Sequence, residues 1–161
     1  MFDKEFYPTP KSVINLMQID CIDKIVLEPS AGKGDIIDYL YNNGAKKVIA
    51  FEKNIDLQKI VREKAILIGD DFLNCKREDI SHINQIVMNP PFSNADEHIL
   101  HAFNIAPDGC EIIALCNWQT IANPFASSRK GLKATVINYG NYKNLGTCFD
   151  TAERTTNIEI G

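Results

Sequence analysis

Short β-branched runs alternate along the chain with longer stretches whose apolar residues recur at helical spacing. Lys24-Ile25-Val26-Leu27-Glu28 reads as a buried strand followed by a Pro/Ser/Gly loop. Residues 35–43 then read as a helix ended by Gly44 in the usual C-terminal position. Further strands are predicted over 47–51, 65–68, 83–88, 111–116, 134–138 and 155–160. Helices are predicted over 55–64, with Ile55, Leu57, Ile60 and Val61 apolar, and over 96–105, with Ile99, Leu100 and Phe103 on one face. This βαβα alternation predicts an α/β domain, a parallel sheet with helices on both faces. In such sheets ligands sit beyond the carboxyl ends of the strands. The glycine loop after the first strand, the acidic ends of the second and third, and the Asn-Pro-Pro-Phe stretch after the fourth all fall there.

Composition narrows the picture without changing it. The 161 residues are 45% hydrophobic and 24% charged, the usage of one ordinary globular domain. A net charge of −4 excludes a strongly basic nucleic-acid clamp, so any polyanion site is a local patch. The best such patch is Ser127-Ser128-Arg129-Lys130-Gly131-Leu132-Lys133, read as a basic loop that can touch phosphates or stay solvated. No long apolar run and no basic-apolar leader follows Met1, so neither a membrane span nor a secretory signal is expected. Five cysteines, an odd number with no C-x-x-C pair, argue against a zinc site or a disulfide framework and for a reduced, cytoplasmic setting. Cys110, Cys116 and Cys148 are expected to fill core or near-core positions. His98 and His101 share a helix face near Glu97, but a plain surface helix is the expected reading, with no metal.

Three stretches carry candidate chemistry. In Glu28-Pro29-Ser30-Ala31-Gly32-Lys33-Gly34-Asp35 the glycines allow a tight turn and close approach of the backbone to a ligand. Ile37 stands where a dinucleotide loop needs a third glycine, and no P-loop pattern is present. The loop therefore suits a cofactor without a pyrophosphate, or serves as a turn alone. Glu52 ends the second strand, where a carboxylate can accept both hydroxyls of a ribose or simply stay solvated. Gly69-Asp70-Asp71-Phe72 pairs an acceptor for an exocyclic amine with a purine-packing ring, and can equally be a helix cap. In Asn89-Pro90-Pro91-Phe92 the prolines end the strand and fix the loop. The Asn89 side-chain oxygen and the Pro90 carbonyl are acceptors beside the flat face of Phe92, an arrangement suited to holding a planar amine.

These motifs, in this order, resemble the class I S-adenosylmethionine-dependent methyltransferases of the N6-adenine type. Phe6-Tyr7-Pro8-Thr9-Pro10 is similar to that family's N-terminal cofactor motif. The resemblance implies a Rossmann-like, mostly parallel seven-stranded sheet whose last strand is antiparallel, here cut short at Gly161. It implies that Tyr7, Thr9, Glu28, Ala31, Gly32 and Gly34 hold the methionyl part of the cofactor, with Thr9 at the carboxylate and Glu28 near the ammonium. Glu52 would bind the ribose, and Asp71 and Phe72 the cofactor adenine. Asn89 and the Pro90 carbonyl would accept from the target amine while Phe92 stacks on the target base. Asn144-Leu145-Gly146-Thr147-Cys148-Phe149 is similar to the segment that brings a second aromatic, making Phe149 a further base contact.

The implied reaction is methyl transfer to the N6 amine of adenine in DNA, with the base flipped out of the helix. RNA adenine, a glutamine amide in a protein, and an inactive cofactor-binding or partner subunit are the alternatives. Phe92, where a tyrosine is commoner in the glutamine-directed group, leans toward a base. The whole chain reads as one catalytic domain with no room for a target-recognition domain, so either the chain is a fragment or a partner protein or another domain supplies sequence recognition. Trp118 and Gln119 are read either as substrate rim or as packing.

Overall fold

The computed structural model describes residues 8–149 and 158–161. Five strands, β1 (Ile25–Glu28), β2 (Lys47–Phe51), β3 (Ile66–Gly69), β4 (Gln85–Met88) and β5 (Glu111–Ala114), form one sheet in the order β3-β2-β1-β4-β5. Every pairing is parallel. β4 is buried along its whole length, as a central strand covered on both faces must be. β3 at the edge leaves Ile66 and Ile68 exposed.

Alternation within the strands splits the core in two. Val26, Val48 and Val87 join α1 (Lys11–Leu16) and α2 (Asp35–Asn42) on one side. Leu27, Ile49 and Ile86 pack on the other with Ala102 of α4 (Ala95–Ile105). Replacing one such leucine with alanine would cost about 2–5 kcal/mol in transfer and cavity energy. α3 (Ile55–Lys64) starts where the Asn54 side chain accepts from the N–H groups of Asp56 and Leu57 at 2.9 and 3.3 Å. Those bonds satisfy two donors that the helix cannot satisfy internally.

The chain runs outward from β1 to β2 and β3, then crosses back to lay β4 on the other side of β1. That reversal opens a crevice beyond the carboxyl ends of β1 and β4, the preferred ligand site of open α/β sheets.

Two expectations are corrected on the far side of the sheet. After the short α5 (Gln119–Ala122), residues 134–138, expected as a strand, lie in α6 (Ser127–Tyr139), as does the basic stretch expected as a loop. Thr135, Val136 and Ile137 are strand formers by propensity, but propensity yields to tertiary context. Leu132 is buried against Ala95, Cys116 and Ile121 of neighbouring elements, and Thr135 folds its hydroxyl onto the Gly131 carbonyl one turn back. The expected seven strands are five in the sheet among the described residues. The end of the last predicted strand is present as antiparallel pairing: Ile160 bridges both Asn117 and Gly146, while residues 155–157 lie outside the described range. Gly161 and Cys116 exchange backbone hydrogen bonds of 2.8 and 3.0 Å, and Trp118 donates to Glu159 at 2.8 Å. No helix among the described residues is long and apolar enough to cross a membrane.

Candidate active site

The loop after β1 is built by its glycines. Gly32 has φ 59° and Gly34, which caps α2, has φ 91°, both in the left-handed region that favours glycine. A side chain at Gly34 would also stand 2.8 Å from Cδ of Lys64. Lys64 holds the loop from outside, donating to the Lys33 carbonyl at 3.0 Å and to Asp38 at 2.7 Å. The Ala31 N–H donates to the Phe51 carbonyl at 3.1 Å, which ties the loop to the end of β2.

Two carboxylates lie under this loop. Glu28 is 1% exposed and accepts from the Ser30 N–H at 2.8 Å. Burial pushes its carboxyl up to about 8, with smaller contributions from the negative charges of Glu52 and Asp35. Glu52 accepts from the Gly32 N–H at 2.6 Å and from the Asn54 N–H at 2.8 Å. Burial raises its pKa too, against those bonds. Each oxygen of Glu52 keeps a further lone pair for a ligand hydroxyl. Asp71 caps the short turn after β3 by accepting from the Leu73 N–H at 3.0 Å, and Asp70 accepts from the Asp71 N–H at 2.8 Å.

β4 ends at Met88, and Asn89 follows at the crevice. Its Nδ2 donates to the Thr9 hydroxyl at 3.0 Å, while its Oδ1 is shielded from solvent and has no hydrogen-bond partner. The Thr9 N–H in turn donates to Asp35 at 3.1 Å. A segment outside every strand thus links the amino end of α2 to the end of β4. Phe92 and Phe149 meet edge to face with ring centroids 6.0 Å apart.

Thr9, Glu28, Ala31, Gly32, Glu52, Asp71, Phe72, Asn89, Pro90 and Phe92 all line one cleft of about 440 Å³. Phe72 is 1% exposed, its ring packed edge to face on Phe51, so it offers the cleft little surface. Gly34, at the loop's end where α2 begins, and Phe149, against Phe92, do not line the cleft themselves. Tyr7 lies outside the described residues. Trp118 does not line the cleft and packs near Tyr142 at 5.9 Å.

His98 departs from the surface position expected of it. It is 8% exposed and lines the cleft beside Phe72. The predicted apolar face of α4 is inward only in part: Ile99 and Leu100 are half-buried against the core, Phe103 is 39% exposed, and Ala95, Asp96, His98 and Ala102 are the buried positions. The spacing of Ala95, His98 and Ala102, with small residues flanking the histidine, was the available signal. Among the described residues no group of three His, Cys, Asp or Glu side chains is placed to hold a metal. Cys116 is buried, whereas Cys110 and Cys148 are half-buried.

No family model and no curated protein sequence matches the chain. Solved structures do. The 23S rRNA methyltransferase ErmE superposes with a TM-score of 0.67 at 15% identity, over 96% of this chain and 66% of that one. A dimethyladenosine transferase from Plasmodium falciparum gives 0.65 at 13% identity, over 94% and 59%. An RNA methyltransferase from Salinibacter ruber, in complex with S-adenosyl-L-homocysteine, gives 0.54 at 17% identity, over 68% and 76%. The chain thus spans from 59% to 76% of the length of these proteins. At such identities the likeness is one of backbone, and it establishes that the chain has the Rossmann-like α/β fold of the S-adenosylmethionine-dependent methyltransferases.

Proposed function

We propose that the chain transfers a methyl group from S-adenosylmethionine to the N6 amine of adenine in a nucleic acid. The observation that carries this reading is Asn89. Its amide nitrogen is engaged by Thr9, and its amide oxygen is left as an unpaired acceptor where the sheet opens. An exocyclic amine is the complementary group.

The cleft suits the donor. Its volume is that of a small-molecule site. Glu28, a buried carboxyl with one backbone donor, is matched to an ammonium, and Thr9 to a carboxylate. Glu52 would take the ribose hydroxyls, and Asp71 with Phe72 the adenine. When bound, S-adenosylmethionine supplies an electrophilic methyl group.

The chain's own residues do the rest. Adenine's amino lone pair is delocalised into the ring. Asn89 Oδ1 and the Pro90 carbonyl, accepting the two amine hydrogens, favour a more tetrahedral nitrogen and stabilise the positive charge that grows there. The Thr9 hydroxyl carries one proton. When it donates to the donor's carboxylate, its lone pair accepts from Asn89 Nδ2, which keeps Oδ1 turned to the amine. Phe92, backed by Phe149, would stack on an extruded base.

The name of the 23S rRNA methyltransferase ErmE points to RNA and that of the Plasmodium dimethyladenosine transferase to adenosine, while the Asn-Pro-Pro-Phe resemblance pointed to DNA. Incubating the full chain with tritiated donor and, separately, RNA, single-stranded DNA, duplex DNA and protein decides between them. Digestion of the labelled polymer is expected to yield N6-methylated adenine. Label confined to protein, or absent throughout, would contradict the reading.

A further inference from the structure

Helix α4 carries two inward histidines one turn apart, and their circumstances differ. His101 sets its Nε2 2.9 Å from the Cys75 carbonyl and its ring edge-on to Phe72 at 5.0 Å. That nitrogen is satisfied within the fold. His98 is more than nine-tenths buried at the cleft wall, and its Nδ1 is shielded from solvent without a hydrogen-bond partner. Leaving a buried polar atom unpaired costs about 1–3 kcal/mol. Packing does not require it, because an apolar ring or a leucine would fill the same space.

The neighbours of His98 locate it in the cleft. Its ring lies 6.2 Å from that of Phe72. Asp71 and Lys53 are near enough to act on its charge, the first favouring the protonated form and the second opposing it. Glu97 and His101 on its own helix act in the same two opposed senses. Burial outweighs them and holds the imidazole below the ordinary histidine pKa. A neutral imidazole carries one N–H donor and one acceptor nitrogen. Asp71, Phe72 and Lys53 stand at the ends of β2 and β3, the part of the cleft assigned above to the donor's adenine.

We propose that His98 reads that nucleobase, donating one imidazole N–H to a ring nitrogen of the purine while Asp71 accepts from its exocyclic amine. The assignment rests on the donor reading above and adds a specificity contact that the motifs do not contain. The purine ring nitrogens are in-plane acceptors, so no proton changes hands. The contact selects for a base with an acceptor at that edge.

The test is calorimetric titration of the full chain with S-adenosylhomocysteine and its 1-, 3- and 7-deaza analogues. Wild type is expected to bind one of the analogues about 3- to 10-fold more weakly than the parent, the value of one neutral hydrogen bond. His98→Ala is expected to lose the same factor with the parent compound and to be indifferent to that one nitrogen. His98→Asn places an amide nitrogen near the position of Nδ1, and His98→Gln near that of Nε2. The one that restores parent binding together with sensitivity to the nitrogen identifies the donor atom. Parent binding by a folded His98→Ala at the wild-type level, or unchanged penalties for all three analogues in it, would overturn the assignment and leave the donor reading standing. If His98→Ala does not fold, the Asn and Gln variants carry the comparison, and loss of nitrogen sensitivity in neither of them overturns the assignment. A wild type with no affinity for S-adenosylhomocysteine overturns the donor reading, and this contact with it.

Discussion

The two sides of the cleft are built on opposite terms. On the β1–β2 side the polar groups satisfy one another: Glu52 takes two backbone N–H groups, Glu28 takes one, and Lys64 clasps the loop from behind. On the β4–α4 side two buried polar atoms, Asn89 Oδ1 and His98 Nδ1, have no hydrogen-bond partner. The first side is a frame that stands without a ligand. The second is a pair of open valences awaiting one. In the proposed reading the frame and His98 hold the donor and set affinity, while Asn89 meets the target amine and sets turnover. Binding and turnover should therefore separate by mutation.

Asn89→Ala tests that separation most severely. Removing an acceptor that acts on charge growing in the transition state is expected to lower the single-turnover rate about 10²- to 10³-fold. Donor affinity, read by calorimetry, should change by no more than about twofold. Equal losses in both would place Asn89 in the frame instead.

Glu28→Gln is the opposite case. The carboxyl of Glu28 is pushed up to about 8 in the folded protein by burial, from an ordinary value of 4.5. Between those values the folded state holds a proton that the unfolded state has lost. The stability this provides is complete below the lower value and fades as pH rises through the upper one. An amide has no such dependence. The variant should melt on the order of 5 °C above wild type at pH 9, with the gap closing near pH 4. The same change should weaken donor binding about 10- to 100-fold by removing the ammonium's partner. A melting curve with the same pH dependence in both proteins would show that Glu28 ionises freely.

The frame and the open side are joined at Thr9. Thr9→Val keeps the shape and removes the hydroxyl that holds Asn89 Nδ2. The rate should fall about tenfold or less, the scale of one hydrogen bond, and Thr9→Ser should restore it. Failure of serine to rescue would mean that the methyl group's packing, not the hydroxyl, sets the amide.

What could be read from the sequence divides along similar lines. Sheet strands and the glycine loop announce themselves locally, through β-branched runs and through turns that few residues other than glycine can make. Hence β2 and α3 have the ends predicted for them. The cleft residues of the glycine loop and of the Asn-Pro-Pro-Phe stretch were legible because a strand end and its loop are adjacent in sequence. α6 was not legible, since its β-branched stretch folds as helix only through contacts with α4 and α5. His98 was missed because the inward side of α4 is wider than Ile99, Leu100 and Phe103 suggested, taking in Ala95, His98 and Ala102 as well. Ala102 packs with the sheet residues Leu27, Ile49 and Ile86, Ala95 packs with Cys116, Ile121 and Leu132, and the imidazole is buried between them on the same helix.

The bond between Thr9 and Asn89 spans 80 positions of chain and joins the sheet to a stretch that is not part of it. Residues 8–10 contribute to no strand, so they can be exchanged without disturbing the parallel ladder. The angle at which Asn89 presents its carboxamide is therefore set from outside the parallel ladder, so the proposed rate of methyl transfer can be tuned at Thr9 without altering a strand.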